Sequence, residues 1–139
     1  MPSIRYQRLA SELLPLANKF YKSQRSPMRV GRSEQVWVAQ QAGIIAACCL
    51  KPVADGHWLT ALLVAREQRQ QGIASQLLNE LRAHSQGPIW LFCAPELLSF
   101  YQRLGFAPCP ALPAELTERL LRYQRKQPLL ALAAAQQCG

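Results

Sequence analysis

The sequence predicts an α/β fold: a mixed, mostly antiparallel sheet with helices on both faces, built as a single domain. Three observations point there. The hydrophobic period switches between two and 3.6 along the chain, as strands and amphipathic helices require. Three strand-like runs follow one another between residues 36 and 64. Two apolar runs, 57–64 and 89–93, are separated by a helical pattern, and the crossover rule makes such strands parallel neighbours. With 139 residues, half of them hydrophobic, the chain is long enough to bury a core without disulfides and too apolar to stay disordered.

Element by element, residues 3–6 read as a short first strand. Leu9, Leu13, Leu16, Ala17 and Phe20 recur at helical spacing and predict a helix over 8–22, kinked or split at Pro15. SQRSPMRVGRSE (23–34) is polar and contains Pro27 and Gly31, a loop or short irregular helix. VWVAQ (36–40) and IIAACCL (44–50), joined by Gln41-Ala42-Gly43, form a tight hairpin. Asp55-Gly56 reverses the chain into HWLTALLV (57–64). Ile73, Leu77, Leu78 and Leu81 predict a helix over 72–85, ended by Gln86-Gly87-Pro88. IWLFC (89–93) is wholly apolar, as in a strand covered on both faces. Pro95 opens a helix over 95–104 that Gly105 stops. Pro108 and Pro110 keep the strand opened by Phe106 short or at an edge. Residues 113–126 read as a helix and 129–135 as a last strand.

Charge and cysteine narrow the class of function. Lys plus Arg number 16 against 8 Asp plus Glu, for a net charge of +8. Lys19, Lys22, Arg25, Arg29 and Arg32 form an acid-free stretch. A basic surface admits a solvated face, a rim that attracts a polyanionic small molecule, or nucleic acid. Nucleic acid ranks last, because neither the aromatic interleaving of an RNA-binding sheet nor a zinc-finger spacing is present. Five cysteines, with no CxxC and no Cys/His ligand spacing, predict reduced core thiols in a cytoplasmic protein and no metal site. No apolar stretch reaches the ~18 residues of a membrane span, and the first residues lack the apolar region of a secretory leader.

The chemistry is concentrated in LTALLVAREQRQQGIASQLLNEL. An apolar strand runs into a polar loop and then into a helix whose first turn holds Gly72, Ile73, Ala74 and Ser75. A helix N-terminus presents unpaired N–H donors and the positive end of a dipole, which suits phosphate. Gly72 takes a Cβ out of the approach path, and Arg69 can add a charge-assisted hydrogen bond. An ordinary glycine-containing loop fits the pattern equally well. Neither a Gly-Lys-Ser/Thr P-loop nor a GxGxxG fingerprint is present.

The segment RQQGIA resembles the Arg/Gln-x-x-Gly-x-Gly/Ala motif of the GCN5-related N-acetyltransferases (GNAT), and SFYQRLGF (99–106) resembles that family's Phe-Tyr-x-x-x-Gly-Phe ending. The two motifs stand in the right order with a short apolar strand between them. The resemblance covers about 36–107, the first helix loosely and the last 30 residues poorly. It implies a GNAT-like acyl-CoA N-acyltransferase fold over 1–139 and an acetyl-CoA-dependent N-acetyltransferase. The pyrophosphate would lie on Arg69, Gln70, Gln71, Gly72, Ile73, Ala74 and Ser75. The pantetheine would lie on the backbone of Leu62, Leu63 and Val64, where one N–H polarises the acetyl carbonyl. Direct attack by a primary amine in a ternary complex needs no covalent enzyme intermediate. Tyr101 matches the tyrosine that protonates the departing thiolate; a core aromatic with a satisfied hydroxyl is the alternative. The acceptor is a small amine, or a peptide or protein amine. In the family's fold, segment 20–35 lies over the acceptor side, where its positive charges disfavour cationic amines. The tail after Pro110 is left to pack a homodimer or close the cleft.

The chain departs from the family where a base is expected. Counting back from Gly72, the strand positions that carry Glu or His hold Trp58 and Thr60, neither of which takes up a proton. His57 reads as an exposed turn histidine on the opposite face. Glu34 and Glu96 have no supporting pattern. A non-catalytic acyl-CoA-binding regulator of a partner protein would show the same gap, and Trp58 is a candidate wall of the acceptor pocket.

Overall fold

A computed structural model describes residues 3–31 and 34–134. Among the described residues the order is β1 (Arg5–Arg8), α1 (Leu14–Ser23), β2 (Gln35–Gln40), β3 (Ile44–Val53), β4 (Gly56–Val64), α2 (Ile73–Ala83), β5 (Ile89–Cys93), α3 (Leu98–Arg103), β6 (Ala107–Pro108), α4 (Ala114–Gln124) and β7 (Leu130–Ala134). The strands form a seven-stranded mixed sheet in the order β1-β2-β3-β4-β5-β7-β6. Each predicted strand and helix is present. The chain divides into two compact units, one holding the residues up to Lys51 with Leu59–Ser85, the other Pro52–Trp58 with the residues from Gln86 onward.

In the first unit, β1 pairs antiparallel with β2 and β2 with β3. Alternation assigns Val36, Val38, Ala47 and Cys49 to one face, where they pack against Ala17, Phe20 and Tyr21 of α1. Trp37 points the other way and lies against His84, just beyond α2, with ring centroids 5.8 Å apart. Helices therefore cover both faces. Ile73, Leu77, Leu78 and Leu81 of α2 are fully buried, each stabilising by about 1.5–3 kcal/mol. Cys48 and Cys49 are both buried free thiols on opposite faces.

The sequence places the buried face of the first helical segment in part: Leu9, Ala17 and Phe20 are buried as expected. Leu13 and Leu16 are 44% and 46% exposed, and the core contacts come from Ala17, Phe20 and Tyr21. The helical segment is split beside Pro15, as expected: a 3-10 turn, Ser11–Leu13, precedes α1, and Pro15 sits in the first turn of α1. The helical phase starts afresh at Leu14, so a periodicity carried across Pro15 adds the exposed Leu13 and Leu16 and omits the buried Tyr21. A proline lacks only a donor that the first turn does not need.

In the second unit, β4 and β5 pair in parallel through His57↔Ile89 and Trp58↔Trp90, as the crossover rule requires. β7 pairs antiparallel with β5 from Ile89↔Ala134 to Cys93↔Leu130, and β6 pairs with β7. The last strand thus inserts beside β5, and β6, with its proline, is left at the edge. The predicted helix 95–104 is a 3-10 turn, Pro95–Leu97, continued by α3. Val53, Trp58, Trp90 and Leu116 form the core here, Leu116 coming from α4. Cys138, Arg32 and the last residue of the predicted strand 129–135 lie outside the described residues.

Candidate functional site

The second half of β4 and the turn that follows it bring together the residues expected to hold the cofactor. Ala61, inside the strand, has a left-handed φ of 58°. Leu62, Leu63 and Val64 follow, half-buried. The strand end is tied down by Ala65, whose N–H donates to the Ile45 carbonyl at 2.8 Å. After a 3-10 turn at Arg66–Gln68, Gln70 and Gly72 both take left-handed backbone conformations, with φ of 64° and 76°. Gly72 is the N-cap of α2, and no side chain caps the helix.

This end of the helix is built from backbone. The Gly72 carbonyl accepts the first helical bond, from the Gln76 N–H at 3.0 Å. Among the described residues, the amides from Gln70 to Ser75 donate no hydrogen bond. Left-handed residues next to a helix start are the ingredients of the backbone nests that hold anions. A Cβ at Gly72 would meet nothing within 4 Å, so there is open space beside these donors. Its positive φ still favours glycine over any other residue.

Arg69 also makes a contact within the protein. Its Nε donates to the Val64 carbonyl at 3.1 Å, which ties the turn back to the end of β4. Ile73 is 2% exposed, so its side chain belongs to the core and only its amide faces the turn. Gln70, Gln71 and Gly72 are exposed; Ala74 and Ser75 are half-buried.

Tyr101 belongs to the second unit and is 8% exposed. The sequence FYQRLGF has a local reason there. The Phe106 N–H donates to the Tyr101 carbonyl at 3.1 Å and the Gly105 N–H to the Gln102 carbonyl at 3.1 Å. With Gly105 at φ 92°, this is a Schellman ending, in which the glycine supplies the left-handed residue. The hydrophobic contact that accompanies such endings is Phe106 against Tyr101, T-shaped with centroids 5.9 Å apart. Half of the second motif is therefore accounted for by helix termination. Cys93 is buried; burial and, second, the nearby Glu96 raise its thiol pKa, which keeps it neutral.

Of the two positions that lack a base, Trp58 lies in an aromatic cluster. Trp58 packs against Phe92 and Tyr123, at 5.4 and 6.5 Å between centroids, and the Arg119 guanidinium carbon lies 4.7 Å from its ring centroid. Trp58 is 7% exposed, and its Nε1 has no hydrogen-bond partner; the same holds for Arg119 Nε and His57 Nδ1, both buried atoms. His57 is not an exposed turn residue: it is half-buried in β4, in register with Ile89, and burial lowers its pKa. Sequence reasoning passed over Ala61 and Tyr21, and it named Gln70 without its positive φ. Nothing in an alanine or a glutamine announces a positive φ.

Among the described residues, no group of three or more His, Cys, Asp or Glu side chains could hold a metal ion, and no helix is long and apolar enough to cross a membrane. No curated protein sequence matches the chain. Solved structures resemble it in fold. GCN5 of Tetrahymena superposes with a TM-score of 0.71 at 12% identity, over 96% of both chains. The ribosomal-protein-S18-alanine N-acetyltransferase of Escherichia coli gives 0.65 at 16% identity, over 99% of this chain and 96% of that one. N-acetylglutamate synthase of Neisseria gonorrhoeae, solved with coenzyme A and N-acetyl-glutamate, gives 0.65 at 15% identity, over 99% of this chain and 35% of that one. The family model described as acetyltransferase (GNAT) domain matches residues 32–108, more than half of the sequence. The chain belongs to the GNAT acetyltransferase family.

Proposed function

We propose that this protein is an acetyl-CoA-dependent N-acetyltransferase, its 139 residues acting as one catalytic domain on a primary amine in the cytoplasm. The observation that carries the reading is the turn Gln70–Ser75: free backbone amides at the start of α2, two left-handed residues and open space at Gly72. These amides hold the diphosphate of acetyl-CoA, whose thioester supplies the activated acetyl group. Arg69, bonded to Val64, keeps the turn in register with the strand end. The backbone of Leu62–Val64 holds the pantetheine, and an N–H at Leu63 or Val64 donates to the acetyl carbonyl oxygen as it gains charge. Tyr101 hands its phenolic proton to the departing thiolate.

The acceptor arrives as the free amine or loses its proton to water, because Trp58 and Thr60 stand where a base would. Its class is a neutral or acidic amine, small or presented by a protein. This follows from the basic groove of the first unit, lined by Lys19, Lys22 and Arg29 with Asn18, Pro27 and Met28, which disfavours cations. A second reading, an acyl-CoA-binding regulator without turnover, is favoured by one observation, the filling of the base position by the buried ring of Trp58.

Release of coenzyme A thiol from acetyl-CoA, followed across a panel of neutral, acidic and cationic amines, tests both. The enzyme reading expects turnover with a neutral or acidic amine, and a fall in kcat of ten-fold or more in Tyr101→Phe with the KM for acetyl-CoA nearly unchanged. Binding without turnover on any amine supports the regulator. Full turnover in Tyr101→Phe removes that residue from the mechanism.

A further inference from the structure

The phenol of Tyr21 has no role in the proposed chemistry, yet it makes a long-range polar contact in the first unit. It lies on α1, is 0% exposed, and its hydroxyl donates to the carbonyl of Ala61 at 2.7 Å. Ala61 is the left-handed residue inside β4. A positive φ at a non-glycine residue inside a strand is strained, and persists only where its surroundings hold it. Here the restraint is visible. The phenol has one proton, which it gives to the Ala61 carbonyl, and its oxygen is left to accept from the Cys49 thiol, 3.8 Å away. Burial, followed by the neighbouring thiols, raises the Tyr21 pKa and keeps that proton in place.

We infer that Tyr21 is a positioning residue that fixes the Ala61 kink and thereby aims the backbone of Leu62–Val64 at the pantetheine and acetyl group. It touches neither the cofactor nor the acceptor and acts through Ala61. The three residues that follow the kink take their direction from its dihedral angles. A β-strand continued through Ala61 with a negative φ would turn them to the other face. The inference rests on the reading that acetyl-CoA lies along Leu62–Val64.

The test compares two probes on the full chain by calorimetric titration. Acetyl-CoA needs both the turn at Gly72 and the strand; adenosine 3′-phosphate 5′-diphosphate carries the diphosphate without the pantetheine and needs the turn alone. Tyr21→Phe is expected to weaken acetyl-CoA binding five-fold or more and to leave the diphosphate probe within two-fold of wild type. Adding Ala61→Gly is expected to restore acetyl-CoA binding, since glycine holds φ near +58° without a restraint. Ala61→Val, which keeps Tyr21 but disfavours a positive φ, is expected to reproduce the Tyr21→Phe pattern and carries the test should Tyr21→Phe fold poorly. Equal acetyl-CoA affinity in wild type and Tyr21→Phe overturns the inference. So does an equal loss for both probes that glycine does not repair, which is what a purely structural role would give. Failure of the wild type itself to bind acetyl-CoA removes the cofactor reading first, and this inference with it.

Discussion

Tyr21 and Trp58 are both buried aromatic side chains with a polar atom, and the two differ in what that atom finds. The Tyr21 hydroxyl donates to Ala61 and lies beside the Cys49 thiol. The Trp58 indole N–H and the neighbouring Arg119 Nε find nothing. A buried donor without a partner costs about 1–3 kcal/mol relative to a satisfied one. The difference teaches where backbone geometry is held and where it is tolerated. Around Tyr21 a strained strand residue is restrained by a specific bond. Around Trp58 the packing of α4 is apolar and cation–π in character, and its polar groups are not matched to it.

The largest expected effect comes from breaking the satisfied site. Tyr21→Phe leaves the part-buried Ala61 carbonyl without its donor and is expected to cost about 1–3 kcal/mol in urea unfolding. A loss below the error of the measurement would mean that the bond is not worth its geometry.

The next effect is pH-dependent and belongs to the same region. Burial raises the thiol pKa of Cys48 and, with Glu34 second, pushes that of Cys49 up to about 12. In the unfolded chain both ionise near pH 9. The unfolded state therefore releases protons that the folded state keeps, and stability present below pH 9 is lost as pH rises above it. The expected loss at pH 10 is about 1 kcal/mol per thiol, read from urea midpoints at pH 7.5 and 10. The effect should shrink in Cys49→Ala. A smaller change of opposite direction comes from His57. Burial lowers its pKa, so the unfolded chain takes up the proton first, and stability is lost as pH falls below about 6.5. His57→Gln should flatten that limb.

The smallest effect sharpens the contrast. Arg119→Met removes a buried unpaired donor, at the loss of the cation–π contact with Trp58 and of a 3.8 Å contact with the exposed Glu115. Its stability is expected within about 0.5 kcal/mol of wild type. A loss as large as that of Tyr21→Phe would show that the two sites do not differ as described.

Much of this was legible in the residues. The strands announced themselves by alternation or by wholly apolar runs, and Gly105 by the need for a left-handed residue after a helix. The turn proposed to hold the cofactor was legible as a turn because Gly72 precedes a helical pattern. The insertion of β7 beside β5 was not, because strand order in a sheet leaves no periodic trace in the chain. Nor were the conformations of Ala61 and Gln70, since neither residue type announces a positive φ. Tyr21 was passed over for a related reason. The phase carried across Pro15 placed Leu13 and Leu16 in the core, and the tyrosine that the structure buries fell outside the predicted stripe.

Amide spectra of ¹⁵N-labelled protein titrated with acetyl-CoA test the central claim most directly. The account predicts that the resonances of Gln70 to Ser75 move together and saturate. Saturable shifts confined to other residues, with those amides unmoved, would contradict it, as would a titration that moves nothing.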